Sequence, residues 1–157
     1  MLTLFENYLT FENIYMWANF GILPFWIMLI FIPNSKITRI FLNSIILPFI
    51  LSFAYIYIIY QAALMDEPIL DVFKLYLSLD NLYTIFSVEN FLLVFWLHFL
   101  ALNIFLGTWV SRDAIKYSVP RGLVSISLIG IYFSGPVGLL LYWFIRIFYA
   151  KKISFHD

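Results

Sequence analysis

Charge is what this sequence has least of. Only 11% of its 157 residues are charged, against about a quarter in a soluble domain. A chain so poor in charge cannot cover a water-facing surface. Its 64% hydrophobic content excludes disorder as well. Nine Lys/Arg stand against nine Asp/Glu, leaving no basic surplus for nucleic acid. Cysteine is absent, which removes disulfides, thiolate metal sites and CxxC redox chemistry. All five lysines (Lys36, Lys74, Lys116, Lys151 and Lys152) fall in loops or tails, so a buried Schiff base is excluded. His156 is in the tail, so two histidines cannot clamp a haem within one chain. No Asp or Glu lies mid-run, which argues against a proton pump or cation carrier. GxSxG, HExxH and P-loop motifs are missing. No metal and no cofactor are expected. The length allows one domain.

What is present are long runs without charge. A helix needs roughly 20 residues to cross the hydrocarbon core, and four runs qualify: Asn13–Ser35, Ile40–Met65, Asn90–Ser111 and Gly122–Ile145. They are apolar in every phase, unlike the alternating strands of a barrel. The expected fold is an all-α integral membrane protein, a four-transmembrane-helix bundle within a single domain over 1–157. Its helices are expected near 14–32, 41–64, 89–110 and 122–147, with a short interfacial helix at about 69–79 between the second and third. Pro68 opens that interfacial helix, and Asp71, Lys74 and Ser78 share a face opposite Leu70, Phe73 and Leu77. Ser87 is expected to cap the third long helix, with Glu89 in its first turn.

The loops orient the chain. Lys36 and Arg39 lie between the first two runs, and Arg112, Lys116 and Arg121 between the last two. Asp66, Glu67, Asp71, Asp80 and Glu89 crowd the middle loop. Both short loops are then expected in the cytoplasm and both termini outside. Arg146, Lys151 and Lys152 pull the other way. The N-terminus lacks the basic start and small-residue site of a cleaved signal. The wealth of Phe, Ile, Tyr and Asn suggests a low-GC source, and the expected location is a bacterial inner membrane, crossed several times.

Few residues inside the runs carry chemistry. His98 lies about ten residues into the third run, near the bilayer centre, and an ionisable residue there is a functional candidate. Its imidazole can exchange a proton, bind a ligand oxygen, or make a structural hydrogen bond. Asn103 is about 140° from it around the helix and shares a face with Trp96 and Gly107. Pro24, Pro48 and Pro136 each interrupt a run, freeing the carbonyls of Phe20, Ser44 and Tyr132. Such bends shape packing or open a pocket. Trp26, Trp143, Phe25, Tyr55, Tyr132 and Tyr142 can line an apolar pocket or simply pack. Trp17, Trp109 and Tyr149 sit near the ends of the runs and suit an aromatic belt. Arg112, with Asp113 and Arg121, either snorkels to solvent or anchors a lipid phosphate or the polar end of a ligand. Gly130, Ser134 and Gly138 form a small-residue stripe that suits intramolecular packing or a homo-oligomer seam.

Four stretches taken together resemble a known family: Leu23-Pro24-Phe25-Trp26 with Pro33, Leu47-Pro48-Phe49, the run from Trp96 to Phe105 (WLHFLALNIF), and Gly135-Pro136-Val137-Gly138-Leu139. With Thr38-Arg39 and Arg112-Asp113-Ala114, they look like the abscisic-acid-deficient, neoxanthin-synthase-like membrane proteins of plants, algae and bacteria. The resemblance covers about residues 17–148. It implies a carotenoid or related isoprenoid ligand and an isomerisation that opens an epoxide to make an allene. It also implies that His98 is the acid or base. Where plant members of the family tend to have Asp, this chain has Asn103, whose amide can hydrogen-bond a hydroxyl or epoxide but cannot transfer a proton. The alternative is a non-catalytic carotenoid- or lipid-binding accessory protein. Expected partners are membrane lipids and the isoprenoid ligand.

Overall fold

The computed structural model describes residues 9–41, 46–64 and 72–151. Among these residues every regular element is helical. They are α1 (Phe11–Phe31), α2 (Lys36–Phe41), α3 (Ile46–Leu64), a 3-10 turn (Val72–Tyr76), α4 (Leu79–Phe86), α5 (Glu89–Lys116), α6 (Arg121–Phe133) and α7 (Gly135–Ala150). Two of them, α1 and α5, are long and apolar enough to cross a membrane, while α3 (over Phe49–Leu64), α6 and α7 are shorter apolar helices. Their outward faces are as apolar as the core. Phe20, Phe31, Phe53, Ile56, Phe105, Val137 and Phe148 are all more than half exposed. A water-soluble monomer rarely presents apolar surface on that scale.

The first and third expected helices are present, and Glu89 opens α5. Thr10 starts α1, its hydroxyl accepting from Asn13 N–H at 3.3 Å. α1 runs through Pro24 without a break.

The second, expected near 41–64, is described as α3 over Ile46–Leu64. Three other expectations need correction. Instead of one helix over 69–79, the described part has a 3-10 turn followed by α4. Ser78 is the reason. It is extended (φ −161°, ψ 157°) and its side chain accepts from Asn81 N–H, so a new helix starts there. Pro68, Leu70 and Asp71 lie outside the described residues. Ser87 ends α4 rather than starting α5, with its hydroxyl donating back to Tyr83 O at 2.9 Å. The fourth long helix is two helices, α6 and α7, separated by Ser134 alone. Pro136 sits in the first turn of α7, where its missing N–H leaves no donor orphaned.

The chain divides into two compact units. The first is built from Met1–Phe20 and Phe49–Ala101, the second from Gly21–Pro48 and Leu102–Asp157. One division falls just before Pro24 and another at Pro48. In the first unit, α4 buries Ile85. Phe86 meets Phe91 and Phe95 of α5 edge to face, at 5.2 Å and 4.8 Å.

In the second unit, α5 ends in a Schellman turn. Val119 N–H reaches Ala114 O (2.9 Å) and Ser118 N–H reaches Ile115 O (3.2 Å). Ser118, at φ 53°, occupies the left-handed position usually held by glycine. Pro120 then launches α6 antiparallel to α5. α7 folds back onto α6. A Cβ on Gly130 would lie 2.9 Å from Gly138 Cα, and one on Gly138 would strike the backbone of Ile131, Gly130 and Ser127. Gly130 and Gly138 of the small-residue stripe thus meet each other between α6 and α7.

Candidate functional site

His98 lies in the first unit, on α5. It is exposed and faces a cavity of about 250 Å³ lined by Leu51, Ser52, Tyr55, Leu97, His98 and Ala101. Helical spacing places Leu51, Ser52 and Tyr55 on one face of α3 and Leu97, His98 and Ala101 on the facing side of α5. The Tyr55 ring is 6.4 Å from the imidazole, centroid to centroid. An imidazole can donate and accept protons, and a phenol can donate a hydrogen bond. The cavity thus sets three polar side chains, Ser52, Tyr55 and His98, beside the apolar Leu51, Leu97 and Ala101.

Trp96 points elsewhere in the same unit. Its indole N–H donates to Asn19 Oδ1 at 3.1 Å, while Asn19 Nδ2 donates to Tyr15 O at 2.7 Å. Phe99 stacks on it at 5.2 Å and Tyr15 tilts against it at 6.2 Å. Trp96 also closes a larger cavity of about 450 Å³ with Phe11, Glu12, Tyr15, Glu89, Leu92 and Leu93. Glu12 and Glu89 place carboxylates in that wall.

The remaining expected residues belong to the second unit, and most are packed away. Trp26 is 3% exposed. It lies edge-on to Tyr132 at 5.5 Å, and so close to α5 that a Cβ on Gly107 would come within 2.8 Å of its ring. Asn103 is buried against Gly135, at the start of α7. Its Nδ2 has no hydrogen-bond partner, a state that costs about 1–3 kcal/mol for a buried polar group. Tyr142 is fully buried, and its hydroxyl donates to Asp113 Oδ2 at 2.7 Å. Arg112 is exposed. The structure thus brings His98 and Tyr55 together, and Trp26 with Tyr132.

A profile of the ABA DEFICIENT 4-like (ABA4-like) family matches residues 13–142. The chain belongs to that family. The ABA4-like match contains every candidate site residue from Trp26 to Tyr142. No curated protein matches the chain, and no solved structure matches it.

One cluster in this ABA4-like chain was not anticipated. Asp113 is not grouped with Arg112 and Arg121. Its Oδ2 accepts from Arg146 Nε at 2.7 Å as well as from Tyr142. Arg146 is 1% exposed. Its guanidinium also lies over the Tyr117 ring, 4.8 Å from the centroid, with Nη2 3.4 Å from the Tyr117 hydroxyl. Two signals in the sequence pointed there. Arg146 is the one charge inside the last expected helix, 122–147, and Asp113 is the one acid among the bases of its loop. A buried guanidinium requires a partner.

Proposed function

We propose that the protein is embedded in the membrane, crossing it several times in a bacterial inner membrane, and acts on an oxygenated end group of a carotenoid-like isoprenoid. α1 and α5 serve as crossings, and so does α3, whose 19 residues span about 28 Å. The observation that carries the reading is His98, exposed to a cavity between α3 and α5 beside Tyr55 in an ABA4-like chain. That cavity, at about 250 Å³, falls below the roughly 300–1,000 Å³ of sites that enclose a drug-sized ligand. It suits one end ring, with the polyene lying along the apolar faces outside.

The reaction that fits is an isomerisation. A proton reaches the epoxide oxygen, the C–O bond opens, and a proton leaves the adjacent polyene carbon to form the allene. Protons and electrons balance without a cofactor. His98 is the acid/base group that the proposal needs, and Tyr55 donates a hydrogen bond to the ligand oxygen.

A second reading, a non-catalytic pigment- or lipid-binding protein, is favoured by Asn103. It stands where an acid is common in plant members, and it packs against Gly135. The test is expression in a host that makes epoxy-carotenoids, with pigment analysis beside an empty-vector control and His98→Ala. An allenic isomer made by the parent and lost in His98→Ala supports catalysis. Unaltered pigment co-purifying with the parent supports binding instead. No bound pigment and no new product would defeat both.

A further inference from the structure

We propose that α6 and α7 form a re-entrant hairpin, entering and leaving the bilayer through one leaflet, the one whose phosphates meet the cationic end of the second unit. The proposal rests on the membrane embedding argued above and concerns only how the last apolar run is inserted.

Length is the first argument. With 13 and 16 residues, α6 and α7 reach about 20 Å and 24 Å at 1.5 Å per residue. Neither spans a hydrocarbon core of about 30 Å.

Direction is the second. α7 runs beside α5 in the same sense. Gly135 packs on Asn103 and Leu106, Tyr142 on Trp109 and Asp113, and Arg146 on Asp113 and Tyr117. α6 runs against that sense, with Val124 and Ser125 sharing a small cavity with Ser111, Ala114 and Ile115. The end of α7 therefore returns to the end of α5 from which α6 departed.

Depth is the third. The apex, Ser134-Gly135, meets α5 at Asn103, the middle of the 28-residue helix Glu89–Lys116. A turn at that depth must hide its backbone polar groups. Only Ser134 is non-helical there. Its N–H donates to Gly130 O (2.9 Å), and its carbonyl accepts from Val137 and Gly138 N–H (2.9 Å and 3.2 Å). Pro136 brings no donor, and Gly135 is buried beside the Asn103 amide.

Charge is the fourth. Arg112, Lys116 and Arg121 flank the α5–α6 turn, Lys151 ends α7, and Lys36 and Arg39 lie in α2, just after α1. Pro33 and Asn34, which close α1, share a cavity with Ser118 and Arg121. Counting Arg146 and Lys152, eight of the nine Lys/Arg belong to this end of the second unit or to the tail that leaves it. The C-terminal bases that conflict with the loops when the last run crosses agree with them when it turns back.

The absence of cysteine makes the test direct. Single-cysteine variants Ser118→Cys, Ser154→Cys and Thr84→Cys are labelled in sealed vesicles of known orientation with a membrane-impermeant maleimide. Positions 118 and 154 are expected to label from one face and position 84 from the other. Labelling of 154 from the same face as 84, and not with 118, would overturn the hairpin. A C-terminal reporter active in only one compartment gives an independent answer on the unsubstituted chain. Its activity outside the cytoplasm, with 118 inside, has the same consequence. Alkaline carbonate extraction separates the two levels of the argument. Release of the chain from the membrane sinks the embedding itself, and the hairpin with it. Retention with the wrong labelling pattern sinks the hairpin alone.

Discussion

The two units handle their polar groups in opposite ways. The segments that build the first carry seven acids and a single base, Lys74. Its notable polar side chains, His98, Tyr55, Glu12 and Glu89, line open cavities. The segments of the second carry eight bases and two acids, Asp113 and Asp157. Its central polar groups are spent on each other, with Arg146, Asp113, Tyr142 and Tyr117 closed into one buried cluster. The first arrangement leaves side chains available to a ligand. The second ties helices together, since a carboxylate shared by a guanidinium and a phenol fixes α7 against α5. The cavity-lining His98 and the closed Asp113–Arg146 pair thus belong to different units of one chain.

Substitutions can break this contrast or sharpen it. The largest effect is expected at Asp113→Ala, which strands a buried guanidinium. Removing one partner of such a pair costs about 3–5 kcal/mol, enough to abolish the folded peak in temperature-stepped size-exclusion chromatography of detergent-solubilised protein. The double variant Asp113→Leu/Arg146→Met should recover most of it. Unchanged melting of Asp113→Ala would mean that the cluster does not hold the second unit.

Next comes Gly138→Ala, expected to destabilise by about 1–3 kcal/mol through overpacking. Gly21→Ala, which meets nothing within 4 Å, should instead gain about 0.5–1 kcal/mol, as glycine is costly inside a helix. The same melting assay compares them, and equal shifts would refute the close α6–α7 contact. Smaller again is Ser118→Gly, which relieves a left-handed serine and should stabilise by about 1 kcal/mol. A fall in the midpoint would argue against the Schellman turn. Smallest in stability is His98→Ala, within about 0.5 kcal/mol because the side chain is exposed. Its effect should be read in pigment chemistry, and a large drop in melting temperature would move His98 from the chemical class to the structural one.

The positions of α1 and α5 were legible because charges bracket them. Glu12 stands at the start of one, and Glu89 and Lys116 at the ends of the other. The break at Ser134 was not legible. A Gly-Pro pair inside an apolar run reads the same whether the helix bends or reverses, and only the distant partners of Gly138 and Arg146 decide between the two. Ser87 shows a similar ambiguity, because a serine hydroxyl can satisfy either a helix start or the carbonyl of a preceding turn. At the site, His98 was recognisable as a titratable group at membrane depth. Its neighbour Tyr55 was not singled out from the other aromatics, because pairing α3 with α5 is a tertiary fact. Helical phase alone separates Asn103 from His98. Its burial against Gly135 depended on where α7 returns.

The contact of Trp26 with Gly107 and Tyr132 carries a consequence for how this chain varies among its relatives. No side chain larger than hydrogen fits at Gly107 while the indole stays in place, and the indole in turn sets the room left for Tyr132. These three positions therefore cannot drift separately. A relative with a larger residue at the position of Gly107 should carry a smaller one in place of Trp26, and a compensating change at Tyr132. That correlated drift would be visible in sequences alone.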